Sequence, residues 1–239
     1  MQMGLESGKN HIRDLFIHPA LNAQRRHVGN GGVVFDASER AEKVYFIEKG
    51  QVRLFKDGPS ATARLLDILG TGDWFGVAGL TEAATYGERA VAAEATVVLE
   101  VSASAFRQLL STNSSLAAIE LIKQLAAKVQ FAREDAATLV FEDCNQRLIK
   151  TLVRFSSSAA ARTTGESVVL NITHHQLAQA VGAARETISL ALTQLRLRNL
   201  LQTGRNQLTF NPKTLARFER WADERVELTE TRTPEAVLS

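Results

Sequence analysis

Glycine and proline are distributed very unevenly along this chain of 239 residues, and that distribution limits what each part can fold into. Twelve of the fifteen glycines lie at or before Gly87, whereas residues 88–164 contain neither glycine nor proline. Frequent glycines favour short strands joined by turns, and an uninterrupted stretch permits long helices. We therefore expect a strand-rich first part followed by a helical middle.

Several segments of the first part are rich in β-branched and aromatic residues, which favour strands. They are GGVVF (31–35), KVYFI (43–47), QVRLF (51–55), ARLLDIL (63–69) and the run 90–101. A strand about every ten residues is typical of a small antiparallel barrel or roll. Residues 1–113 are therefore predicted to form an antiparallel β-roll that ends in a short helix through Leu110, within an α+β protein.

A seam of apolar residues follows in residues 114–141. Its members recur at alternating steps of four and three: Ala118, Ile122, Leu125, Val129, Ala132, Ala136 and Leu139. A 3.5-residue repeat held for about three heptads is typical of a coiled coil. We predict one long dimerisation helix, whose interface residues are Ile122, Leu125, Val129, Ala132 and Ala136. The alternative is an amphipathic helix packed on the core of its own chain.

Residues 142–239 carry the pattern of a helix-turn-helix. Thr173 precedes a predicted helix over 174–181, Gly182 supplies a tight turn, and a second helix is expected over about 184–198. Apolar residues of the second helix are predicted to pack on the first: Ile188, Ala191, Leu192, Leu195 and Leu197. This spacing predicts a compact pair of helices of the kind that binds DNA.

The segments around the helix-turn-helix are predicted from residues that typically begin or end helices. Asp143 is expected to cap a helix over 144–155, and a polar loop is expected over 156–167. Pro212 marks the first turn of a further helix, and the chain beyond residue 229 is expected to be frayed.

Positive charge is concentrated in the same region. Between residues 167 and 213 there are five basic residues, and Glu186 is the only acid, so the balance is 5 − 1 = +4 against +2 for the whole chain. Segments with strand character flank Gly204-Arg205-Asn206, which predicts a hairpin wing with a basic tip. A basic module of this shape fits double-stranded DNA, and the alternative is a helical module that does not bind DNA.

Other classes of protein are excluded by what the sequence lacks. The lone cysteine, Cys144, is too few for a disulfide, a zinc finger or a four-cysteine cluster. The sequence contains no P-loop, nucleophile elbow, HExxH or clustered ligand set, so we expect no enzyme, no metal and no cofactor. No apolar run reaches the length of a membrane span, and no secretory signal is expected, so a cytoplasmic protein is expected.

Two stretches resemble the CRP/FNR family of transcription regulators. ITHHQLAQAVGAARETISLALTQLRLRNLL (172–201) is similar to the family's winged helix-turn-helix. GDWFGVAGL (72–80) with GERAVAAEATVVLEVSASAFRQLL (87–110) resembles its sensor roll and phosphate-binding cassette. The resemblance covers about residues 25–215. It implies a homodimer on double-stranded DNA, with RNA polymerase as a further partner near residues 156–167.

The resemblance also implies how DNA is read. Arg185 would read guanine and Glu186 would accept from a cytosine amino group, as the hydrogen-bonding patterns of these bases allow. The alternatives are a phosphate contact for Arg185 and an intramolecular pair between the two. The other predicted DNA contacts, chiefly to phosphates, are Thr187, His174, Ser189 and Arg205. Leu190 stands where the family usually places an arginine, so the family's usual half-site is not carried over.

The roll keeps only part of the family's cyclic-nucleotide site. Arg89 matches the arginine that pairs with the cyclic phosphate, and Gly76 and Gly79 match glycines of the cassette. The residues that would hold the ribose, phosphate and base are replaced by Val77, Ala90, Ala132 and Arg133. The candidate effector pocket is therefore Gly76, Gly79, Arg89 and Arg133, and control by cyclic AMP through the usual contacts is not expected.

The identity of an effector stays open in the sequence. The other candidates are an anion held by Arg89 and Arg133, a haem held by His11, His18 or His27, a redox switch at Cys144, or no effector. Instead of binding a ligand, Arg89 could form a structural ion pair with Glu88 or Glu94. A second functional class is a dimeric interaction protein that binds DNA with weak specificity.

Overall fold

The computed structural model describes residues 12–59, 62–112 and 116–219, without the side chains of residues 116, 117, 140 and 141. The chain forms two compact units. The first contains Met1–Phe141 with Ser158–Ala161, and the second contains Glu142–Ser157 with Arg162–Ser239. The predictions for His11 and for the chain beyond residue 229 lie outside the described residues.

The described part of the first unit contains two antiparallel sheets of four strands each, which confirms the predicted roll. Its strands are β1 (Gln24–Val28), β2 (Val33–Phe35), β3 (Lys43–Lys49), β4 (Gln51–Asp57), β5 (Ala63–Gly70), β6 (Trp74–Phe75), β7 (Arg89–Ala92) and β8 (Thr96–Ser102). One sheet has the order β1-β8-β3-β6 and the other the order β2-β7-β4-β5. Alternating apolar side chains fill the space between them, as at Val52 and Leu54 of β4 and Ala90 and Ala92 of β7.

The sequence prediction for the roll was wrong in two respects. The run 90–101 is not one strand, because β7 pairs in one sheet and β8 in the other. Strands β1 and β6 were missed: four of the five residues of β1 are exposed, and β6 has only two residues. Neither strand carries the alternation of apolar and polar residues on which strand prediction depends.

Helices cover the outer face of the sheet that contains β3 and β8. They are α1, of which residues 12–16 are described, α2 (Ala103–Thr112) and the first part of α3 (Leu116–Phe141). Two 3-10 helices lie at Pro19–Leu21 and Val77–Leu80. A second apolar cluster, which includes Phe16, Phe46, Phe106 and Leu121, joins these helices to the sheet. No helix within the described ranges is both long and apolar enough to cross a membrane.

The described part of the second unit contains four helices and two β-hairpins. The helices are α4 (Cys144–Ser156), α5 (His174–Val181), α6 (Arg185–Leu197) and α7, of which residues 212–219 are described; the strands are β9 (Arg162–Thr164), β10 (Ser167–Asn171), β11 (Leu201–Gly204) and β12 (Gln207–Phe210). The strands form an antiparallel sheet in the order β11-β12-β10-β9. The predicted polar loop at 156–167 was wrong in part, because fully exposed residues form the edge strand β9.

Local capping signals explain why the helices of the second unit begin where they do. Asp143 and Gln146 form a capping box at the start of α4, and Thr173 and Gln176 form another at the start of α5. Each box satisfies backbone N–H groups that a helix leaves unpaired. Gly182 ends α5 with φ 71°, a conformation that glycine adopts without strain. The predicted helix-turn-helix is therefore confirmed.

Candidate nucleic-acid interface

The second helix of the helix-turn-helix has one buried face and one exposed face. Its buried side chains are Ile188, Ala191, Leu192 and Leu195. The exposed residues opposite lie in a line at steps of four, three and four: Glu186, Leu190, Thr193 and Leu197. The prediction that Leu197 packs in the core was wrong, because it follows Leu195 by two residues, about 200° around a helix. Leu197 is 75% exposed.

Arg185 and Glu186 form the start of α6, and both side chains are exposed. Within the described chain neither forms a hydrogen bond or an ion pair, so the predicted alternative of a mutual pair is not observed. The N-cap residue is Ala184, whose side chain caps nothing. The N–H groups at this helix start thus keep the partial positive charge that attracts phosphate.

Two other residues that were predicted to contact DNA, His174 and Ser189, are hydrogen-bonded to each other. The Nδ1 atom of His174, at the start of α5, lies 2.9 Å from the Oγ atom of Ser189 on α6. This hydrogen bond joins the two helices and fixes the orientation of both side chains. Thr187, between Glu186 and the buried Ile188, is exposed and available to a partner.

The hairpin of β11 and β12 forms the predicted wing. Gly204 pairs with Gln207, so Arg205 and Asn206 form the tip. Asn206 has φ 56°, and both tip residues are exposed. The Arg205 guanidinium has no partner among the described residues, which leaves its charge free for a phosphate.

The long helix α3 has one side on the roll and one side exposed. On the roll side Leu121 is 3% exposed, the Trp74 indole Nε1 donates to Gln124 Oε1 at 2.9 Å, and Lys128 Nζ lies 3.0 Å from Asp67 Oδ2. The apolar residues exposed on α3 include Ile122 at 65% and Val129 at 52%. These contacts anchor the helix and leave an apolar stripe uncovered.

The predicted interface residues divide between these two sides. Ile122, Val129, Ala132 and Ala136 are exposed, whereas Leu125 packs partly against the apolar cluster that contains Leu121. Packing on the core of the same chain therefore holds for Leu125, and the other four stay predicted interface residues that this chain leaves exposed. We use the name "exposed stripe" for Ile122, Val129, Ala132 and Ala136.

The glycines of the cassette pack closely against the chain itself. Gly76 has φ 81°, and a Cβ atom there would lie 3.2 Å from the carbonyl oxygen of Lys43. A Cβ atom at Gly79 would lie 3.0 Å from the same oxygen. The hydroxyl of Tyr86 donates to that oxygen at 2.9 Å. A side chain at either glycine would therefore crowd the backbone carbonyl of Lys43, and the left-handed backbone at Gly76 would add strain.

Aromatic rings occupy the interior beside this turn. The rings of Phe35 and Tyr86 are stacked with centroids 3.8 Å apart, and those of Tyr45 and Phe75 are stacked at 5.1 Å. All four residues belong to the apolar cluster between the two sheets. Burial raises the pKa of both tyrosines, so their phenols stay protonated.

Arg89 forms an ion pair, but not with either acid considered from the sequence. Its NH2 atom lies 3.0 Å from Oδ1 of Asp57 and its Nε atom 3.3 Å from Oδ2, and its guanidinium stands over the ring of Phe55. The prediction of Glu88 or Glu94 as partner was wrong, because Arg89 pairs across the sheet with Phe55, two residues before Asp57. Hydrogen bonding to Arg89 lowers the pKa of Asp57.

The structure does not bring Arg133 together with Arg89. Arg133 is exposed on α3 and lies about 140° around the helix from Lys128, which faces the roll. Arg89 is paired with Asp57, whereas Arg133 forms no hydrogen bond or ion pair with any described residue. Two charged residues of the roll are partly buried: burial raises the pKa of Glu88 and lowers that of Arg53.

The described structure does not support the haem or redox candidates with a group of ligating side chains. His18 accepts a hydrogen bond from the N–H of Ala20, and His27 is an exposed residue of β1. Across residues 12–59, 62–112 and 116–219, no three His, Cys, Asp or Glu residues are grouped to hold a metal ion. Burial raises the pKa of Cys144, which lowers the thiolate fraction that redox chemistry needs.

An exposed second helix and a basic wing define a winged helix-turn-helix DNA-binding module, carried in the same chain as a β-roll. Comparison with known proteins agrees. Residues 25–113 match the family described as a cyclic nucleotide-binding domain, and residues 146–218 match the Crp-like helix-turn-helix domain.

Two of the similar proteins are named cAMP-activated global transcriptional regulator CRP. The one from Pasteurella multocida is 30% identical over 166 residues, 69% of this chain and 79% of its own. The one from Salmonella typhimurium is 32% identical over 164 residues, 68% of this chain and 78% of its own. The chain belongs to the CRP/FNR family of DNA-binding transcription regulators, which is not a family of enzymes.

Solved structures share the fold at lower identity. FixK2 from Bradyrhizobium japonicum superposes with a TM-score of 0.71 at 22% identity, covering 82% of this chain and 97% of that one. The regulator CLP of Xanthomonas campestris, described as c-di-GMP responsive, gives a TM-score of 0.69 at 22% identity, covering 84% and 98%. At this identity the likeness shows the fold.

Proposed function

We propose that this regulator binds an inverted-repeat DNA site as a homodimer, through direct reading of bases by α6. The observation that carries the proposal is the start of α6, where Arg185 and Glu186 are exposed and have no partner within the described chain. An arginine donates two hydrogen bonds to guanine O6 and N7, and a glutamate accepts from cytosine N4. A carboxylate facing a polyanion is otherwise unfavourable, so base reading supplies its function.

The exposed stripe of α3 supports the dimer. Its large members, Ile122 and Val129, are more than half exposed. Apolar residues repeated at coiled-coil spacing are covered when two such helices pair, and the alanines between them permit close approach. A two-fold dimer presents two recognition helices, and its site is then an inverted repeat with half-sites about one helical turn apart.

Footprinting on genomic DNA tests this proposal against the second functional class, a dimeric interaction protein with weak DNA specificity. We expect discrete protected segments, each with two related halves. Uniform weak protection would support the interaction protein. We include RNA polymerase as a partner only because of the resemblance to the family. The segment assigned to it, 156–167, contains the exposed strand β9.

Arg205 is expected to bind phosphate, and a salt titration checks it. Replacing it with alanine should weaken binding to all sequences similarly, because a phosphate contact carries no sequence information. The slope of log Kd against log salt should fall by about 0.9 for each wing, or about 1.8 for a dimer. Arg162→Ala is the control, since Arg162 is also exposed but lies at the other edge of the sheet. An unchanged slope in Arg205→Ala would contradict the assignment.

We further propose that cyclic AMP does not control this protein through the family's usual contacts. Three residues at the matching positions lack any hydrogen-bonding side chain: Val77 packs against an apolar cluster, Ala90 is buried between the sheets, and Ala132 is exposed on α3. Arg89 already pairs with Asp57. A half-exposed ion pair contributes about 0–1 kcal/mol, whereas micromolar binding needs about 8 kcal/mol.

Calorimetry with cyclic AMP is expected to give no low-micromolar binding, and the nucleotide should change affinity for DNA by less than about twofold. Asp57→Asn releases Arg89 from its carboxylate and should not create binding, because the ribose and base contacts are still missing. Low-micromolar binding that is abolished by Arg89→Ala and accompanied by tighter DNA binding would contradict the proposal.

A further inference from the structure

Leu190 is a large apolar side chain on the exposed face of α6. It is 68% exposed, and it lies on the outward line of α6, one turn after Glu186 and one turn before Thr193. Buried residues of the same helix face the other way, so Leu190 contributes nothing to the core. A single exposed leucine is common on protein surfaces, so exposure alone does not indicate a function and the position on the helix is decisive.

That position is in the half of α6 that carries the free arginine and glutamate. Glu186 and Leu190 are four residues apart, about 6 Å along the helix axis and on the order of two base-pair steps. A groove contacted by Arg185 and Glu186 therefore receives the side chain of Leu190 as well. Leu197 is on the same line but seven residues further on, at the last turn of α6.

The chemistry of the major groove leaves one fitting partner for an isobutyl group. Guanine, adenine and cytosine present hydrogen-bond donors or acceptors there, and leucine can satisfy none of them. Thymine presents the O4 acceptor and, alone among the four bases, an apolar C5-methyl group. Covering that methyl group removes apolar surface from water, whereas covering the donors or acceptors of another base leaves them unsatisfied.

We infer that Leu190 is a specificity-determining residue that contacts the C5-methyl group of a thymine in each half-site. The inference rests on the proposed function, because it requires α6 to lie in the major groove. It adds a position at which the protein prefers an A·T pair, about two base pairs from the one that Glu186 reads. The preference has two parts, an apolar contact with thymine and rejection of the polar edges of the other bases.

Deoxyuridine provides the test, because it differs from thymidine only by that methyl group. Each thymine of a selected DNA site is replaced in turn by deoxyuridine, symmetrically in both half-sites, and Kd is measured by fluorescence anisotropy. For the wild-type protein, one thymine position should weaken binding by about tenfold or more for the dimer, about fourfold for each methyl group. The other thymine positions should change Kd by less than about twofold.

Three variants separate the contact from general effects of substitution. In Leu190→Ala the same thymine-to-deoxyuridine change should have almost no effect, because the partner of the methyl group is absent. Leu197→Ala removes an equally exposed leucine from the far end of α6 and should keep the wild-type response. Leu190→Arg should move the selected base at this position from thymine to guanine, since arginine binds guanine O6 and N7.

The outcomes distinguish failure of the inference from failure of the proposed function. If no site is selected and no DNA is bound specifically, both are overturned. If a site is bound but no deoxyuridine position matters, or Leu190→Ala responds as the wild type does, Leu190 does not read thymine and only the inference is overturned. If Leu190→Ala leaves the whole selected site unchanged, Leu190 belongs to a surface that does not contact DNA, which also overturns it.

Discussion

The Ile122→Glu variant is expected to bind an inverted-repeat site about 10²- to 10⁴-fold more weakly than the wild type. This is the factor by which linking two binding modules raises affinity, and a monomer loses it. Ile122 is 65% exposed on the stripe of α3, so a glutamate there is tolerated in the isolated chain. In a paired helix the same carboxylate would be removed from water without a partner, which is unfavourable. Sedimentation should show a monomer under conditions in which the wild type is a dimer.

Ala127→Glu is the matched control for the dimer variant. Ala127 is exposed on the same helix but lies about 140° around it from Ile122, away from the stripe. It introduces the same charge and should leave both the dimer and DNA binding unchanged. Full-strength binding of Ile122→Glu to the inverted repeat, or a wild-type protein that stays monomeric on DNA, would contradict the account.

The structure also explains why Leu125 is the less informative position to change. Leu125 lies in the sequence seam but packs partly against the apolar cluster of the roll, together with Leu121. A glutamate at residue 125 would disturb the roll as well as the interface. Loss of DNA binding in that variant would thus not distinguish a lost dimer from a misfolded sensor domain.

The second large effect is expected from Arg185→Ala. A good bidentate contact with guanine contributes about 1–3 kcal/mol of discrimination, so a dimer that uses two should lose about 2–6 kcal/mol. The preference for guanine at one position of each half-site should disappear at the same time. Selection from a random DNA pool and anisotropy on the selected site measure the two effects.

Arg196→Ala is the control for the loss of charge alone. Arg196 is also exposed on α6 but lies in the last turn of the helix. Its replacement should leave the selected sequence unchanged. If Arg185→Ala selects the same site as the wild type, Arg185 contacts phosphate only, and the base-reading part of the proposed function is wrong.

The helices and the wing of the second unit could be predicted from the sequence, because their signals are local. Thr173 and Asp143 cap helices through hydrogen bonds to residues two or three positions ahead, and Gly182 provides the left-handed turn. Such interactions require no knowledge of distant parts of the chain. The edge strand β9 was missed because its side chains are all exposed and carry no apolar pattern.

The roll and its candidate site were less predictable, because they depend on the register between distant strands. Asp57 becomes the partner of Arg89 only through the pairing of β4 with β7, and no local signal indicates which residue faces which. The stacking of Tyr86 on Phe35 joins residues of equally distant segments. The division of the α3 seam between the roll and the exposed stripe likewise depends on tertiary packing.

Selection of bound DNA from a random pool, with no nucleotide added, tests the central claim most directly. We predict an enriched inverted repeat whose half-sites are centred about one helical turn apart, each with a guanine that Arg185→Ala no longer requires. Failure to enrich any sequence, or enrichment of a single half-site without symmetry, would contradict the account of a dimeric, base-reading regulator.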